Sequence, residues 1–284
     1  CFGGYAAAVT WGADGRRRNA DEIQASAGIA WPTPEWVSAM TALGEADSIS
    51  VDPHKLGFAP YPAGAFLLKD RRARELVAVD PPYLAPAGHG ADELFLGRCI
   101  LEGSKPGAAA AAVWLSHRVL PLDERGYGYL IARTVAGAHR LHAALGTTEL
   151  GRFRAVTLPL PDLNIVCFAV THPGIGSLAE LNALNEGIYE RMSVQPGKVA
   201  PDYILTRTRL QSPMYDGAAD ALINALGACR VGEWKAAGGE GLVVLRATVM
   251  DPFLVEHDAG VDHVAGFVAA VGRAAEGADG GREG

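Results

Sequence analysis

The sequence of 284 residues carries a formal net charge of −7, with 49% hydrophobic and 20% charged residues. This composition is typical of a globular protein with a sizeable core, and it excludes the low hydrophobicity and high charge of disordered chains. An acidic chain lacks the basic face that nucleic acids and anionic lipids require, so we expect neither as a partner. No apolar run reaches membrane-spanning length, and the first residues do not resemble a secretory signal.

The first half of the chain alternates short extended segments with helices. Thr33 can cap a helix whose first position is Pro34, and Pro106 suits the first turn of another. Cys1 in place of Met suggests a processed chain or a piece of a longer one. The predicted elements are strand and turn over residues 1–10, an irregular exposed segment over 12–24, a helix from Thr33 to Leu43, strands over 47–52 and 66–68, a loop over 79–90, and helices over 106–120 and 127–145.

The second half of the sequence is predicted to form a smaller α/β unit. Ser177 and Glu180 have the spacing of a capping box that opens a helix ending at Met192. Further strands are predicted over 152–158, 164–170 and 243–250, and a closing helix over 261–275. We therefore predict a first domain over residues 1–145, a second over 146–276, and a disordered Gly-rich tail over 277–284.

Cysteines and histidines give no sign of a metal site. Cys1, Cys99, Cys167 and Cys229 are widely spaced, form no CxxC pair and have apolar neighbours. They predict buried free thiols in a reducing compartment, with the cytoplasm as the expected location. His139 and His142 have helical i, i+3 spacing but lack a third ligand, so a solvated or core pair is favoured and we predict no metal.

Lys55 is the most informative residue. It follows directly on a predicted strand and the step Pro53-His54, and an apolar, constrained turn rich in Gly, Pro and aromatic residues comes after it. A lysine in a turn is usually exposed and without a function. A fixed lysine amine that is shielded from water, however, is the group that forms Schiff bases with aldehydes. His54 and Ser50 could hydrogen-bond a phosphate beside it.

The run Asp52-Pro53-His54-Lys55 resembles the cofactor-lysine motif of the group II pyridoxal-5′-phosphate-dependent amino-acid decarboxylases. Other runs are similar to the bacterial tyrosine decarboxylase subgroup, and the resemblance extends from Cys1 to about Val264. These runs are Ile100-Leu101-Glu102-Gly103-Ser104-Lys105-Pro106-Gly107-Ala108, Val113-Trp114, Leu120-Pro121-Leu122, Gly126-Tyr127-Gly128, Gly137-Ala138-His139-Arg140, Pro161-Asp162-Leu163-Asn164 and Val244-Leu245-Arg246-Ala247-Thr248-Val249-Met250.

The resemblance implies a fold and a cofactor. The fold is α/β, of the type I pyridoxal-phosphate transferase kind, in which this chain supplies the end of the large, mainly parallel-sheet domain and a small C-terminal α/β domain. Lys55 would carry pyridoxal 5′-phosphate as a Schiff base. His54, Asp52 and Ser50 would lie near the cofactor phosphate, with Asp52 ranked below His54 because a carboxylate repels phosphate.

Roles toward the substrate also follow from the resemblance. Tyr83 matches the mobile-loop tyrosine that protonates the substrate α-carbon after carbon dioxide leaves, although a tyrosine packed on a proline-rich turn is the alternative. Arg246 would bind a substrate carboxylate, unless it makes a structural salt bridge. Thr248 shares its face of the strand. Ser104 and Lys105 could approach the cofactor or a dimer partner.

The expected reaction is decarboxylation of an L-amino acid, with an aromatic one such as tyrosine as the leading substrate, in a homodimer. The aspartate that holds the cofactor ring nitrogen in this family aligns before Cys1, as do the phosphate loop and a stacking histidine. We therefore expect a C-terminal portion that lacks about half of the site. The alternatives are a non-catalytic partner subunit and another pyridoxal-phosphate lyase or aminotransferase of the same fold.

Overall fold

The computed structural model describes residues 2–79, 96–256 and 260–280. The chain divides into two compact units, Cys1–Ile131 and Ala132–Gly284, so the division lies earlier than the predicted boundary at residue 145. No helix within the described ranges has both the length and the apolar character needed to cross a membrane.

The first unit is mainly helical, with one small antiparallel sheet. In that sheet β1 pairs with β2 so that Val51 lies opposite Ala65 and Ser48 opposite Leu68. Its elements are a 3-10 helix Gly4–Thr10, α1 Ala20–Ala27, α2 Pro34–Ala42, β1 Ser48–Val51, β2 Ala65–Leu68, α3 Ala108–Val119, the start of α4 Tyr127–Thr147, and short 3-10 segments at Leu43–Glu45, Arg71–Val77 and Leu96–Arg98.

Two predictions in this unit are wrong. Residues 4–10 form a 3-10 helix instead of a strand, and the Thr10 hydroxyl closes it by donating to the carbonyl of Ala7 (2.8 Å). The segment over 12–24 is not wholly irregular, because Asn19 and Glu22 form a reciprocal capping box that starts α1. Local capping thus gives regular structure to a polar stretch. By contrast, α2 begins at Pro34 with Thr33 as its N-cap, as predicted.

The second unit is built on an antiparallel sheet of order β3-β4-β6-β5. Helix α5 packs against β4 and β6, and α6 packs against β3 and β4. Phe267 of α8 meets Phe168 of β4 edge to face. The described elements are the rest of α4, β3 Arg154–Thr157, β4 Ile165–Thr171, α5 Leu178–Arg191, β5 Thr206–Leu210, α6 Ala218–Leu226, α7 Val231–Ala236, a 3-10 turn Gly238–Glu240, β6 Leu242–Thr248 and α8 His263–Gly280.

The last helix extends beyond the expected end of the folded chain. Helix α8 continues to Gly280, so residues 277–280 are helical and not disordered. Polar contacts hold this end: Arg191 donates to the carbonyl of Gly277, and Asp279 lies between Arg152 and His172. Residues 281–284 lie outside the described ranges.

Two asparagines of α5 complete the hydrogen bonding of the sheet. The Asn185 amide accepts from Val170 N (2.8 Å) and donates to Val170 O (2.9 Å), at a point where β4 has passed its pairing with β6. Asn182 likewise accepts from Val243 N and donates to Gly241 O. Both side chains are buried, so these bonds replace water that the backbone groups cannot reach.

We predict that Asn185→Leu lowers the free energy of unfolding by about 2–4 kcal/mol, because it leaves the buried backbone N–H and C=O of Val170 without these hydrogen-bond partners. Ala183→Leu, which places the same side chain at an exposed position of α5, is the control and should change stability little. Urea denaturation followed by circular dichroism measures both variants. Equal stability of the two would show that the amide does not support β4.

Candidate functional site

The turn after β1 brings together three of the predicted site residues, Asp52, His54 and Lys55. Hydrogen bonds from Lys55 N to Asp52 O (3.0 Å) and from Ala59 N to Pro53 O (2.9 Å) close the turn. Phe58 within it adopts a left-handed backbone conformation with φ of 52°. The three side chains are therefore fixed by a short, internally bonded loop between two paired strands.

Lys55 and Asp52 form an ion pair within this turn. Lys55 Nζ donates to Asp52 Oδ2 at 2.8 Å, and 38% of the Lys55 side chain remains exposed. The bond from Lys55, followed by its charge and that of His54, holds the pKa of Asp52 below its ordinary value. The amine is thus held in one place and remains accessible to a ligand from solvent.

His54 is oriented by the backbone and by an aromatic ring. Its Nδ1 bonds to the carbonyl of Ala63, which makes Nδ1 the protonated nitrogen of the neutral ring. Its Nε2 lies 4.0 Å from Asp52 Oδ1, and the Tyr61 ring packs against the imidazole at a centroid distance of 4.1 Å. His54 can therefore donate to an anion through Nε2 only when the ring is protonated.

Two tyrosines that sequence reasoning did not assign to the site support the turn. The buried Tyr127 hydroxyl donates to Gly57 O at 2.9 Å, and a Cβ on Gly57 would lie 2.6 Å from Tyr5 Cζ. Burial, and secondarily Tyr127, raises the pKa of Tyr5 to about 12. Burial also lowers the pKa of His117, which hydrogen-bonds the Tyr5 hydroxyl at 2.9 Å. The signal in the sequence was Tyr127 flanked by two glycines, at which Pro121, Asp123 and Ala8 leave no room for a side chain.

The remaining candidates of the first unit lie in exposed positions or outside the described ranges. Ser50 is exposed on β1, opposite Phe66 in register. Lys105 pairs with Glu102 at 3.2 Å on an exposed turn that also contains Ser104. Tyr83 lies outside the described residues. Within those ranges, no three His, Cys, Asp or Glu side chains could together hold a metal ion.

Arg246 and Thr248 belong to the second unit, on β6. Arg246 is half-buried, and its Nε donates to the Thr206 hydroxyl at 3.0 Å. In the described part of the chain no carboxylate lies within 4.0 Å of its guanidinium, so the alternative of a structural salt bridge receives no support. Thr248 is exposed at the end of the strand and lines a cavity of about 300 Å³. Thr206, which contacts Arg246, was missed because strand β5 was not predicted.

Comparison with known proteins gives consistent matches. Residues 138–273 match the family model "Tyrosine decarboxylase, C-terminal". The L-tyrosine decarboxylase of Levilactobacillus brevis is 34% identical over 90% of this chain and 42% of its own length. That of Enterococcus faecalis is 33% identical over 89% of this chain and 42% of its own length. The chain thus spans less than half the length of the curated relatives it matches.

Solved structures agree on the fold. Catharanthus roseus tryptophan decarboxylase in complex with L-tryptophan superposes with a TM-score of 0.52 at 17% identity, covering 90% of this chain and 43% of that one. Oryza sativa TDC with PLP and tryptamine gives 0.51 at 17% identity, covering 89% and 40%. The expected α/β fold class is confirmed, although the sheets described here pair entirely antiparallel.

The fold is that of the type I pyridoxal-phosphate-dependent enzymes, and the family model matched by residues 138–273 describes a C-terminal region. Within that class the chain is similar to the bacterial L-tyrosine decarboxylases over about 90% of its length.

We predict that Lys55→Met raises the pKa of Asp52 toward its ordinary value of 3.8, because the main cause of its lowering is removed. The ion pair is present above that ordinary pKa and is lost as the pH falls through the lowered one. A carbon-13 NMR titration of the carboxylate measures the shift. Lys69→Met, which removes an amine lying near Glu45 O, should leave the titration unchanged. Identical titrations of Asp52 in both variants would contradict the ion pair.

Proposed function

We propose that the protein containing this chain decarboxylates an L-amino acid to its amine and carbon dioxide with pyridoxal 5′-phosphate as cofactor. The observation that carries the proposal is the bonded turn that presents the Lys55 amine beside His54. The relatives named L-tyrosine decarboxylase support an aromatic substrate such as tyrosine. The protein is thereby proposed to be a carboxy-lyase, and its expected location remains the cytoplasm.

The side chains present fit the cofactor in part. Lys55 Nζ is an accessible primary amine at a fixed position, which is the group an aldehyde requires. Protonated His54 can donate Nε2–H to a phosphate, with the Ser50 hydroxyl as a second candidate on the same strand-and-turn segment. Asp52 already holds Lys55, which favours a role in positioning the amine over contact with the phosphate. The partner of the cofactor ring nitrogen is assigned to polypeptide that this chain does not span.

Each residue has a defined task in the proposed reaction. Bound pyridoxal phosphate supplies an aldehyde and an electron sink for the electrons left when carbon dioxide departs. Lys55 would hold the cofactor through its amine, and Asp52 would bind the protonated Lys55 amine by the ion pair described above whenever that amine is free. Arg246 binds and orients a carboxylate, with Thr248 beside it. Tyr83 delivers the proton to the substrate α-carbon.

The first unit also leaves apolar side chains uncovered. Phe66 and Leu67 of β2 are 62% and 55% exposed, and Trp114 of α3 is 63% exposed. Large exposed apolar side chains are typical of surfaces that contact other polypeptide. This supports the proposal that the relatives' remaining length, absent from this chain, completes the site, and that the whole protein is a homodimer.

We predict that Lys55→Ala abolishes covalent labelling by pyridoxal phosphate after borohydride reduction, because no amine remains at the turn. The test uses the full coding product that contains this chain, with the modified residue located by mass spectrometry. Lys69→Ala, at the end of the same hairpin, should leave the labelling intact. Unlabelled wild-type protein, or equal labelling of Lys55→Ala, would refute the assignment of the cofactor lysine.

We predict that Tyr83→Phe lowers kcat for decarboxylation by about 10²- to 10⁴-fold, the range expected for loss of a general acid. Visible absorbance of the bound cofactor should persist, and oxidative or transaminating side products should increase. Chromatography of amine, carbonyl and keto-acid products measures the partition. Tyr215→Phe is the control. If Tyr83→Phe yields amine at the parental rate, the residue packs on the proline-rich turn and another group supplies the proton.

A further inference from the structure

Arg246 lies at the centre of a row of residues across three strands. Its cross-strand neighbours in register are Cys167 on β4 and Thr206 on β5. Phe168 and Leu245, also opposed in register, flank this row, and Phe168 contacts Phe267 of α8. Because adjacent residues of a strand point to opposite faces, Cys167 and Arg246 point away from α8. Arg246 therefore presents its charge on the other face of the sheet.

The surroundings of Arg246 are only partly solvated. Burial raises the pKa of the neighbouring Cys167 thiol, and the positive charge of Arg246 offsets part of that rise. In the described ranges the guanidinium has a single protein hydrogen bond, from Nε to the Thr206 hydroxyl. Both Nη groups are thereby left for a ligand. Two N–H donors in a fixed plane match the two oxygens of a carboxylate.

The Thr206 hydroxyl makes a reciprocal pair of bonds with one residue. It donates to the backbone carbonyl of Arg246 at 3.1 Å and accepts from Arg246 Nε at 3.0 Å. The first bond uses the only hydroxyl proton, so the oxygen lone pairs face Nε. The hydroxyl thus ties the guanidinium to its own main chain and limits the rotamers that a long, flexible side chain would otherwise sample.

We propose that Thr206 is a positioning residue that orients the guanidinium of Arg246 for binding the carboxylate of the substrate. The inference rests on the proposed function, in which Arg246 contacts that carboxylate. Thr206 itself touches no substrate. Its contribution is to hold the two Nη groups in place before the ligand arrives, so that less conformational entropy is lost on binding.

The test compares three variants of the full coding product loaded with cofactor. Thr206→Val keeps the shape and removes the hydroxyl, Thr206→Ser restores the hydroxyl, and Thr208→Val makes the same change two residues along on the same face of β5, opposite Val244. We expect Thr206→Val to raise KM for the amino acid roughly tenfold with a smaller change in kcat, as for loss of a hydrogen bond to a charged group. Thr206→Ser and Thr208→Val should resemble the parent.

A pair of competitive inhibitors separates positioning from general damage to the fold. The propanoate analogue of tyrosine carries the carboxylate without the amine, and tyramine carries the amine without the carboxylate. Thr206→Val should weaken inhibition by the propanoate about tenfold and leave that by tyramine unchanged. Equal weakening of both inhibitors, or an effect of Thr208→Val as large as that of Thr206→Val, would overturn the proposal.

Arg246→Gln distinguishes failure of the inference from failure of the proposed function. If Arg246→Gln weakens the propanoate and Thr206→Val does not, Arg246 binds the carboxylate without help and only the inference fails. If neither variant affects the propanoate, the role of Arg246 is wrong as well.

NMR of the 284-residue chain gives a readout independent of activity. The Nε–H of Arg246 should exchange with solvent faster in Thr206→Val than in Thr206→Ser, and equal rates would contradict the positioning bond.

Discussion

Close packing around Gly57 is the constraint on which the lysine turn depends. Its carbonyl accepts the buried Tyr127 hydroxyl, and Tyr5 and Pro53 leave no space for a side chain at this position. With Gly57 fixed, the bond from Ala59 N to Pro53 O closes the loop, and Asp52, His54 and Lys55 converge. The ion pair between Lys55 and Asp52 is therefore a consequence of main-chain geometry. The ion pair forms although neither side chain is deeply buried.

Lys55 and Arg246 differ in the charge of the group that holds each of them. Asp52 neutralises an exposed amine at short range, which keeps Lys55 in one rotamer at little cost in desolvation. Arg246 has no such carboxylate among the described residues and is instead held by a neutral hydroxyl. A guanidinium bonded to a neutral partner presents an uncompensated charge to an anionic ligand, whereas a carboxylate partner would compensate that charge. This difference makes Arg246 a candidate ligand-binding group.

The sequence allowed prediction of those parts of the fold that local signals determine. Thr33 and Pro34 set the start of α2, and the order Asp52-Pro53-His54-Lys55 located the turn in which Lys55 pairs with Asp52. Strand β5 was missed because an edge strand of alternating Thr and Arg has only one buried residue, Leu210, to reveal its period. The support that Tyr127 gives to Gly57 and the bond between Thr206 and Arg246 join residues far apart in the chain, and no local pattern encodes such contacts.

Different interactions stabilise the two units. The second buries a continuous apolar core around β4, β6, α5 and α8, and buried asparagines satisfy the sheet where pairing stops. The first exposes Phe66 and Trp114 but keeps its lysine turn through hydrogen bonds and close contacts. Burial of apolar area contributes roughly 25 cal/mol per Å², so these exposed side chains add little to the stability of the first unit. The geometry of Arg246 thus depends on a complete core, whereas that of Lys55 depends on a local network.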